Sequence, residues 1–390
     1  MDIRLLDARP SDDERSAVDA CLGAPESAWD GGERGSARDA HAGHGGSAQR
    51  ARRHQLLPAL QSLQARMGWI SEGGMNYVCE RLGVPPAETW SVATFYAMLA
   101  TSPRPRRVVH VCDDIACRAN GGGALCDAIE REAGPPLPHA PDGDHLKLAP
   151  ERGAWMRSPC LGLCDRAPAA LLTEAGATPL ERLLGGVAAA DVLALIDGSA
   201  PADDASAEPP VPQRGDPSLV LLRRVGTVDP GDLEAYRGSG GYRALVRALE
   251  IGAEAVLAEV TNSKLVGRGG AAFPTGRKWE AVRAQSARPR YLVCNADESE
   301  PGTFKDRVLL CGDPFAVVEA MTIAAYATGC EKGYLYVRAE YPLAHQRVQR
   351  AVDMARTAGL LGERILGSEF SFESELRRGA GAYVCVEETA

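Results

Sequence analysis

No run of residues in this 390-residue chain is apolar for long enough to cross a bilayer. Its two most apolar stretches, 316–329 and 183–196, are short and carry Glu319 and Asp191. The opening MDIRLLDARPSDDERS is charged and lacks the apolar centre of a secretory signal. Positive charge is in deficit too. Against 52 Asp and Glu stand 43 Lys and Arg, a net charge of −9, so the basic field of a nucleic-acid binder is missing. The 11 cysteines are scattered along a long chain. That excludes a small secreted disulfide scaffold and suits a reducing cytoplasm. What remains is a chain with 45% hydrophobic residues, enough for ordinary cores in about two or three domains.

Residues 1–53 are rich in Gly, Ala, Ser, Asp and Arg and read as a mobile extension. His41 and His44 lie in it without further ligands to complete a metal set. Residues 54–106 read as a small helical bundle. Leu56, Leu60, Leu63 and Met67 form one apolar face. A second helix opens at Pro85-Pro86 and carries Trp90, Val92, Phe95, Tyr96 and Leu99 as core. At Arg107 the period changes. Val108–Val111 and Pro168–Thr173 read as strands, with a closing helix over about 179–196, so 107–198 is a small α/β domain. A Pro/Ala/Asp-rich linker spans 199–217. From 218 to 390, a helix over 244–259, strands at 290–294 and 334–337, and a helix between them at 314–327 predict a parallel α/β sheet.

Chemistry concentrates in two places. Cys112 and Cys117 form a C-x4-C pair, and Cys160 and Cys164 a C-x3-C pair, each on a loop beside a predicted strand. Brought together, four such thiolates suit an iron–sulfur cluster. Zinc is open on the same spacing, since both gaps fall within the range of zinc knuckles. The second place begins with the glycine-rich loop Gly267-Arg-Gly-Gly-Ala-Ala-Phe-Pro-Thr-Gly276, followed by Arg277 and Lys278. It is neither G-x-G-x-x-G nor a Walker loop, but its amides and lysine suit a phosphate-bearing ligand. After the next strand comes Asn295-Ala-Asp-Glu-Ser-Glu-Pro-Gly-Thr-Phe-Lys-Asp-Arg307, four carboxylates at a strand's carboxyl end, where open α/β sheets bind ligands. Glycines, an aromatic ring and paired acids recur in 379–389.

These three patches, in this order, resemble the NADH- and FMN-binding flavoprotein subunit of respiratory complex I and the diaphorase subunits of NAD-linked formate dehydrogenases and NiFe hydrogenases. Residues 54–198, through C-x4-C and Pro-Cys-Leu-Gly-Leu-Cys-Asp-Arg-Ala-Pro, resemble the thioredoxin-like [2Fe-2S] subunit of the same assembly. The resemblance implies an α/β fold: a helical bundle, a thioredoxin-like [2Fe-2S] domain and a Rossmann-like FMN/NADH domain. It implies that Cys112, Cys117, Cys160 and Cys164 ligate the cluster. Gly267, Arg268, Gly269 and Gly270 would line the FMN and nucleotide pocket, with Lys278 on the FMN phosphate. Asn295, Asp297 and Glu298 would hold the ribityl chain and ring edges. Phe273 would stack on adenine, and Glu300, Tyr383, Glu387 and Glu388 would face the flavin and NADH. The implied reaction is hydride exchange between NAD(H) and FMN, with electrons leaving through iron–sulfur centres. The implied partners are redox subunits: a molybdopterin formate dehydrogenase, a NiFe hydrogenase or complex I subunits. The alternative is a non-catalytic [2Fe-2S] electron-transfer or assembly protein. This sequence departs from the family in three ways. It stops at Ala390 without the family's C-terminal [4Fe-4S] domain, has Val386 where glycine is usual, and has Ala281 where a second stacking aromatic is frequent. A truncated flavin domain that retains FMN weakly is the expectation.

Overall fold

The computed structural model describes residues 7–25, 51–138, 152–199, 211, 214–268 and 271–382. They divide into two compact units. The first is Met1–Ser206 with Ser299–Thr303 and Ala380–Ala390; the second is Ala207–Glu298 with Phe304–Gly379.

The first unit opens with helix α1 (Asp12–Leu22), inside the segment expected to be mobile. The signal for it is a capping box: Ser11 accepts from the Glu14 amide while the Glu14 carboxylate takes the Ser11 N–H at 2.7 Å. Glu14 also receives the Ser71 hydroxyl. Ser71 caps helix α3 (Glu72–Leu82), which follows α2 (Leu56–Met67) and precedes α4 (Pro86–Phe95). Val18 of α1 is fully buried with Leu60, Leu63, Tyr77, Val78 and Leu82. Burial of each Leu or Val contributes about 1.5–3 kcal/mol, so α1 is structural. Two aromatics expected in this core are outside it: Trp90 is 48% and Phe95 55% exposed. The apolar residues of α4 surround the helix, and Thr89 and Ala93 are its buried positions. His41 and His44 lie outside the described residues.

Strand β1 (Arg107–Cys112) then begins a four-stranded sheet with β2 (Ala154–Ser158), β3 (Ala169–Glu174) and β4 (Leu180–Gly185), ordered β2-β1-β3-β4. β1 and β2 are parallel, with Cys112 opposite Ser158; the other pairs are antiparallel. Between β1 and β2 lie α5 (Ile115–Ala119) and α6 (Gly122–Ala133), and α7 (Ala189–Ile196) closes the domain. Ile129, Val192, Leu195 and Ile196 of α6 and α7 pack on Val109, Val111, Ala170 and Leu172 of the sheet. The helix expected over 179–196 is thus a strand followed by a helix. Leu180, Leu183 and Leu184 suggest a helical face in sequence, but the backbone pairs with β3 and breaks at Gly185-Gly186.

In the second unit a parallel sheet β5 (Tyr291–Ala296), β6 (Lys332–Val337), β7 (Glu373–Arg378) carries the predicted α/β alternation. Before β5 come α8 (Leu233–Gly238), α9 (Arg243–Ile251), α10 (Ala253–Asn262) and α11 (Thr275–Arg283). The single helix expected over 244–259 is two helices that meet at Gly252. After β5 come α12 (Lys305–Gly312) and α13 (Pro314–Thr328), and α14 (Pro342–Thr357) joins β6 to β7. Leu335 and Val337 of β6 are fully buried, as are Val348, Ala351 and Ala355 of α14. No single helix among the described residues is long and apolar enough to cross a membrane.

Candidate functional site

The parallel pairing of β1 with β2 explains why two distant cysteine pairs meet. Cys112 ends β1, and Cys160 follows the end of β2, so both loops leave the same edge of the sheet. Asp114 ties the loops together. One carboxylate oxygen accepts from Ile115 N at the start of α5, and the other accepts from Cys160 N at 3.1 Å. Asp113 adds ion pairs to Arg118 and Arg157, each at 2.9 Å; both hold its carboxyl below the usual range, Arg118 foremost.

Cys112, Cys117 and Cys160 are buried and Cys164 half-buried. The Cys160 and Cys164 sulfurs are 3.4 Å apart, and the Cys112 thiol is in hydrogen-bond reach of both Cys117 and Cys160. As bare thiols they cannot all ionise. Hydrogen bonding to Cys117, then to Cys160, together with burial pushes Cys112 far up; the contact with Cys160 does the same to Cys164, and Cys117 is lowered by its contact with Cys112. Each sulfur also has a backbone N–H partner: Asp114 for Cys112, Ala169 for Cys117, Gly162 at 3.3 Å for Cys160, and Gly302 at 3.2 Å for Cys164. Four anionic sulfurs, each met by an amide, fit an iron–sulfur cluster. The sulfurs are closed on one another, and no group of three or more His, Cys, Asp or Glu among the described residues stands ready around a metal ion.

Of the cysteines outside the two pairs, Cys79, Cys126, Cys311 and Cys330 are buried and Cys21 is exposed. Cys294, near the predicted flavin patch, is half-buried; burial, then Asp306, pushes its thiol up to about 11.

In the second unit the glycine-rich segment is a tight loop between α10 and α11. It is closed by Gly267 N to Phe273 O at 2.8 Å and Thr275 N to Leu265 O at 2.9 Å. Arg268 and Phe273 are exposed on it, and Lys278 is exposed in the first turn of α11, whose amino-terminal end favours an anion. Gly276 has a packing role: a Cβ there would come within 2.3 Å of Thr261 Oγ1 on α10. Gly269, Gly270, Tyr383, Cys385, Val386, Glu387 and Glu388 lie outside the described residues, and Ala281 is exposed on α11.

At the carboxyl end of β5, Asn295 is exposed while Asp297 and Glu298 are buried, 2% and 4% accessible. Asn295 Oδ1 accepts from Asp297 N at 3.2 Å. Glu298 is held at φ 38°, a costly region for a residue with a side chain. Arg338 Nη1 fixes its carbonyl at 2.7 Å. One oxygen of its carboxyl, Oε2, accepts the Asp306 and Arg307 amides at the start of α12, while Oε1 is buried without a partner. A buried orphan acceptor at this edge of a parallel sheet fits a ligand bearing hydroxyl or N–H donors, as the ribityl chain and ring of FMN do. Arg338 was not foreseen as part of this site, whereas Asp306 and Arg307 lie inside the predicted acidic patch. Glu300 falls in the segment that joins the first unit.

Burial, then Asp306, pushes Glu298 up to about 7 from its ordinary 4.5. Between those values the folded chain keeps a proton that the unfolded chain has released. Stability from this group therefore falls as pH rises across that window, by about 3 kcal/mol. His345 of α14 acts in the opposite sense. Burial, then Arg378, lowers it from 6.5 to about 4, so the unfolded chain protonates first and stability falls as pH drops through that range. The two slopes oppose each other in the wild type. Glu298→Gln is expected to leave the histidine slope alone, so that urea midpoints of the FMN-free variant climb more steeply from pH 4 to 6.5. Superimposable profiles would refute it.

Two family models match the chain: thioredoxin-like [2Fe-2S] ferredoxin over residues 45–184 and the Nuo51 FMN-binding domain over 260–390. NAD-reducing hydrogenase HoxS subunit alpha of Cupriavidus necator is 34% identical over 344 residues, which is 87% of this chain and 55% of that protein. An NADH-quinone oxidoreductase subunit of Rhizobium meliloti is 49% identical over 172 residues, 44% of this chain and 41% of that protein. The solved NAD+-reducing [NiFe]-hydrogenase in the air-oxidized state aligns with TM-score 0.65 and 30% identity, over 86% of this chain and 53% of that one. The chain thus spans about half the length of these relatives, or less.

Proposed function

We propose that this chain, which joins a thioredoxin-like [2Fe-2S] ferredoxin domain to a Nuo51 FMN-binding domain, is a diaphorase component that passes electrons between NAD(H), FMN and iron–sulfur centres. The observation that carries this reading is the convergence of Cys112, Cys117, Cys160 and Cys164 at one sheet edge with an amide facing each sulfur. These four residues are assigned as the cluster ligands. The loop Gly267–Gly270 and Lys278 are assigned to the phosphate, and Asn295, Asp297 and Glu298 to the flavin's polar edge. Phe273 is assigned to the adenine; Glu300, Tyr383, Glu387 and Glu388 are assigned to the nicotinamide side.

Bound FMN and NADH supply the hydride chemistry between themselves. The protein's share is binding and orientation. The exposed Lys278 at a helix start offers an anion site, and the rigid carboxyl end of β5 fixes Asp297 and Glu298. Glu298 Oε1, buried without a protein partner, is left to accept from the ligand.

For the partner, a hydrogenase-type module is favoured. The hydrogenase relative aligns across both halves of this chain, whereas the quinone-oxidoreductase relative aligns with 44% of it. A formate dehydrogenase and complex I are the competing partners, and a cytoplasmic setting goes with either soluble assembly. Purified chain reconstituted with iron, sulfide and FMN should reduce ferricyanide with NADH and show a [2Fe-2S] EPR signal when reduced. A cluster signal without NADH–ferricyanide activity would favour the non-catalytic electron-transfer alternative. Absence of both would defeat the proposal.

A further inference from the structure

We propose that the backbone N–H of Gly302 is a positioning group that raises the reduction potential of the cluster through its hydrogen bond to Cys164. The proposal rests on the four cysteines holding the cluster. Three of the four amide donors come from the immediate surroundings of the sulfurs: Asp114, Gly162 and Ala169. The fourth comes from 138 residues away, in the segment Ser299–Thr303 that packs into the first unit. It serves Cys164, the least buried ligand.

The local sequence dictates where this amide points. Glu300-Pro301-Gly302-Thr303 closes as a turn through Thr303 N to Glu300 O at 3.1 Å. Proline in the second position and glycine at φ 91° in the third give a type II turn. In that type the central peptide is flipped relative to type I, so the Gly302 N–H and the Pro301 carbonyl exchange sides. The Pro-Gly pair thereby aims an N–H at the Cys164 sulfur at 3.2 Å, where the alternative turn would aim a carbonyl. Reduction of the cluster adds negative charge that spreads onto its sulfurs. A donor on one of them favours the reduced form and raises the potential.

EPR-monitored dithionite titration of the full reconstituted chain tests this. Gly302→Val cannot hold the positive φ, so the turn changes type. Nothing lies within 4 Å of the added Cβ, so the effect is on the backbone rather than on a neighbour. It should shift the equilibrium about fivefold toward the oxidised form, or about 40 mV lower at 59 mV per decade. Gly302→Asn tolerates the same conformation and should match the wild type. Equal potentials in all three, or equal shifts in both variants, would overturn the proposal. Should Gly302→Val fail to assemble, pulsed EPR of the reduced cluster in chain labelled with 15N-glycine decides. The wild type should show couplings from Gly162 and Gly302, and Gly302→Asn should lose one of them. An unchanged pattern would overturn the proposal, and no [2Fe-2S] signal in the wild type would overturn the cluster assignment beneath it.

Discussion

Replacing Cys112 with alanine is expected to lower bound iron, visible absorption and the reduced EPR signal by more than about tenfold. Loss of even an outer contact to a metal site costs about 10–100-fold in affinity, and Cys112 is central to the set. Its thiol lies in reach of both Cys117 and Cys160, and it is 1% accessible, so neither water nor a neighbouring side chain can readily take its place. Cys126→Ala is the matched control. Cys126 is also fully buried, in the core beneath the same sheet, yet it is no member of the set. That variant should lose about 1–2 kcal/mol of stability through packing and keep its iron. Iron retained in Cys112→Ala, or lost equally in both, would remove the ligand assignment. Zinc in place of iron in the wild type would revive the alternative that spacing alone left open.

The second large effect is on stability. Glu319 sits in α13, 6% accessible, and accepts from Tyr236 Oη at 2.6 Å, Tyr242 N at 2.8 Å and Leu245 N at 3.2 Å. The two amides are those of the cap residue and the third residue of α9. Tyr242, in the cap position, offers the first turn no side-chain acceptor, so a carboxylate from another helix caps α9 and complements its positive end. The same carboxylate, after burial itself, pushes the Tyr236 phenol well up, so Tyr236 stays a donor. Glu319→Ala strands three buried donors. Hydrogen bonds to a charged group are worth about 1.5–3 kcal/mol each, with partial recovery through water. A loss of about 4 kcal/mol is expected in urea unfolding of the second unit, followed by the fluorescence of Trp279, which packs beside α9 and α13. Cluster absorption should be unaffected. A loss under about 1 kcal/mol would mean that the three donors find other partners.

Glu319 also shows why part of this fold was hidden in the sequence. Read along the chain, it is one acid in an apolar stretch, useful for denying a membrane span; its partners are 74 to 83 residues away. Features whose partners are near in sequence, or whose period is clean, were legible. Examples are the strands that end in cysteine loops, the α2 face of Leu56, Leu60 and Leu63, and the alternation that builds the β5–β7 sheet. Helix α1 was missed: Ser11-x-x-Glu14 marks its start, but its polar surface hid the few residues that pack. Leu180–Leu184 failed for the opposite reason: apolar spacing at three and four residues suits a helix until pairing with β3 settles it as a strand. At the proposed site, the motifs named the candidate side chains. The amides facing the sulfurs were not legible, because backbone donors leave no mark in the side-chain pattern. Gly302 is the exception, since Pro-Gly announces a turn, though never what the turn will touch.

The first unit takes back two later pieces of chain, Ser299–Thr303 and Ala380–Ala390, and Ala380 and Gly381 bond through their carbonyls to Met98 and Ala97. No single cut in the polypeptide can therefore release the ferredoxin half whole. A gene trimmed at the linker would encode a protein missing both the turn beside Cys164 and a strip of backbone against the helical bundle. Joining the two modules in one reading frame does more than fix their ratio: the earlier module is finished only when the later one has been translated.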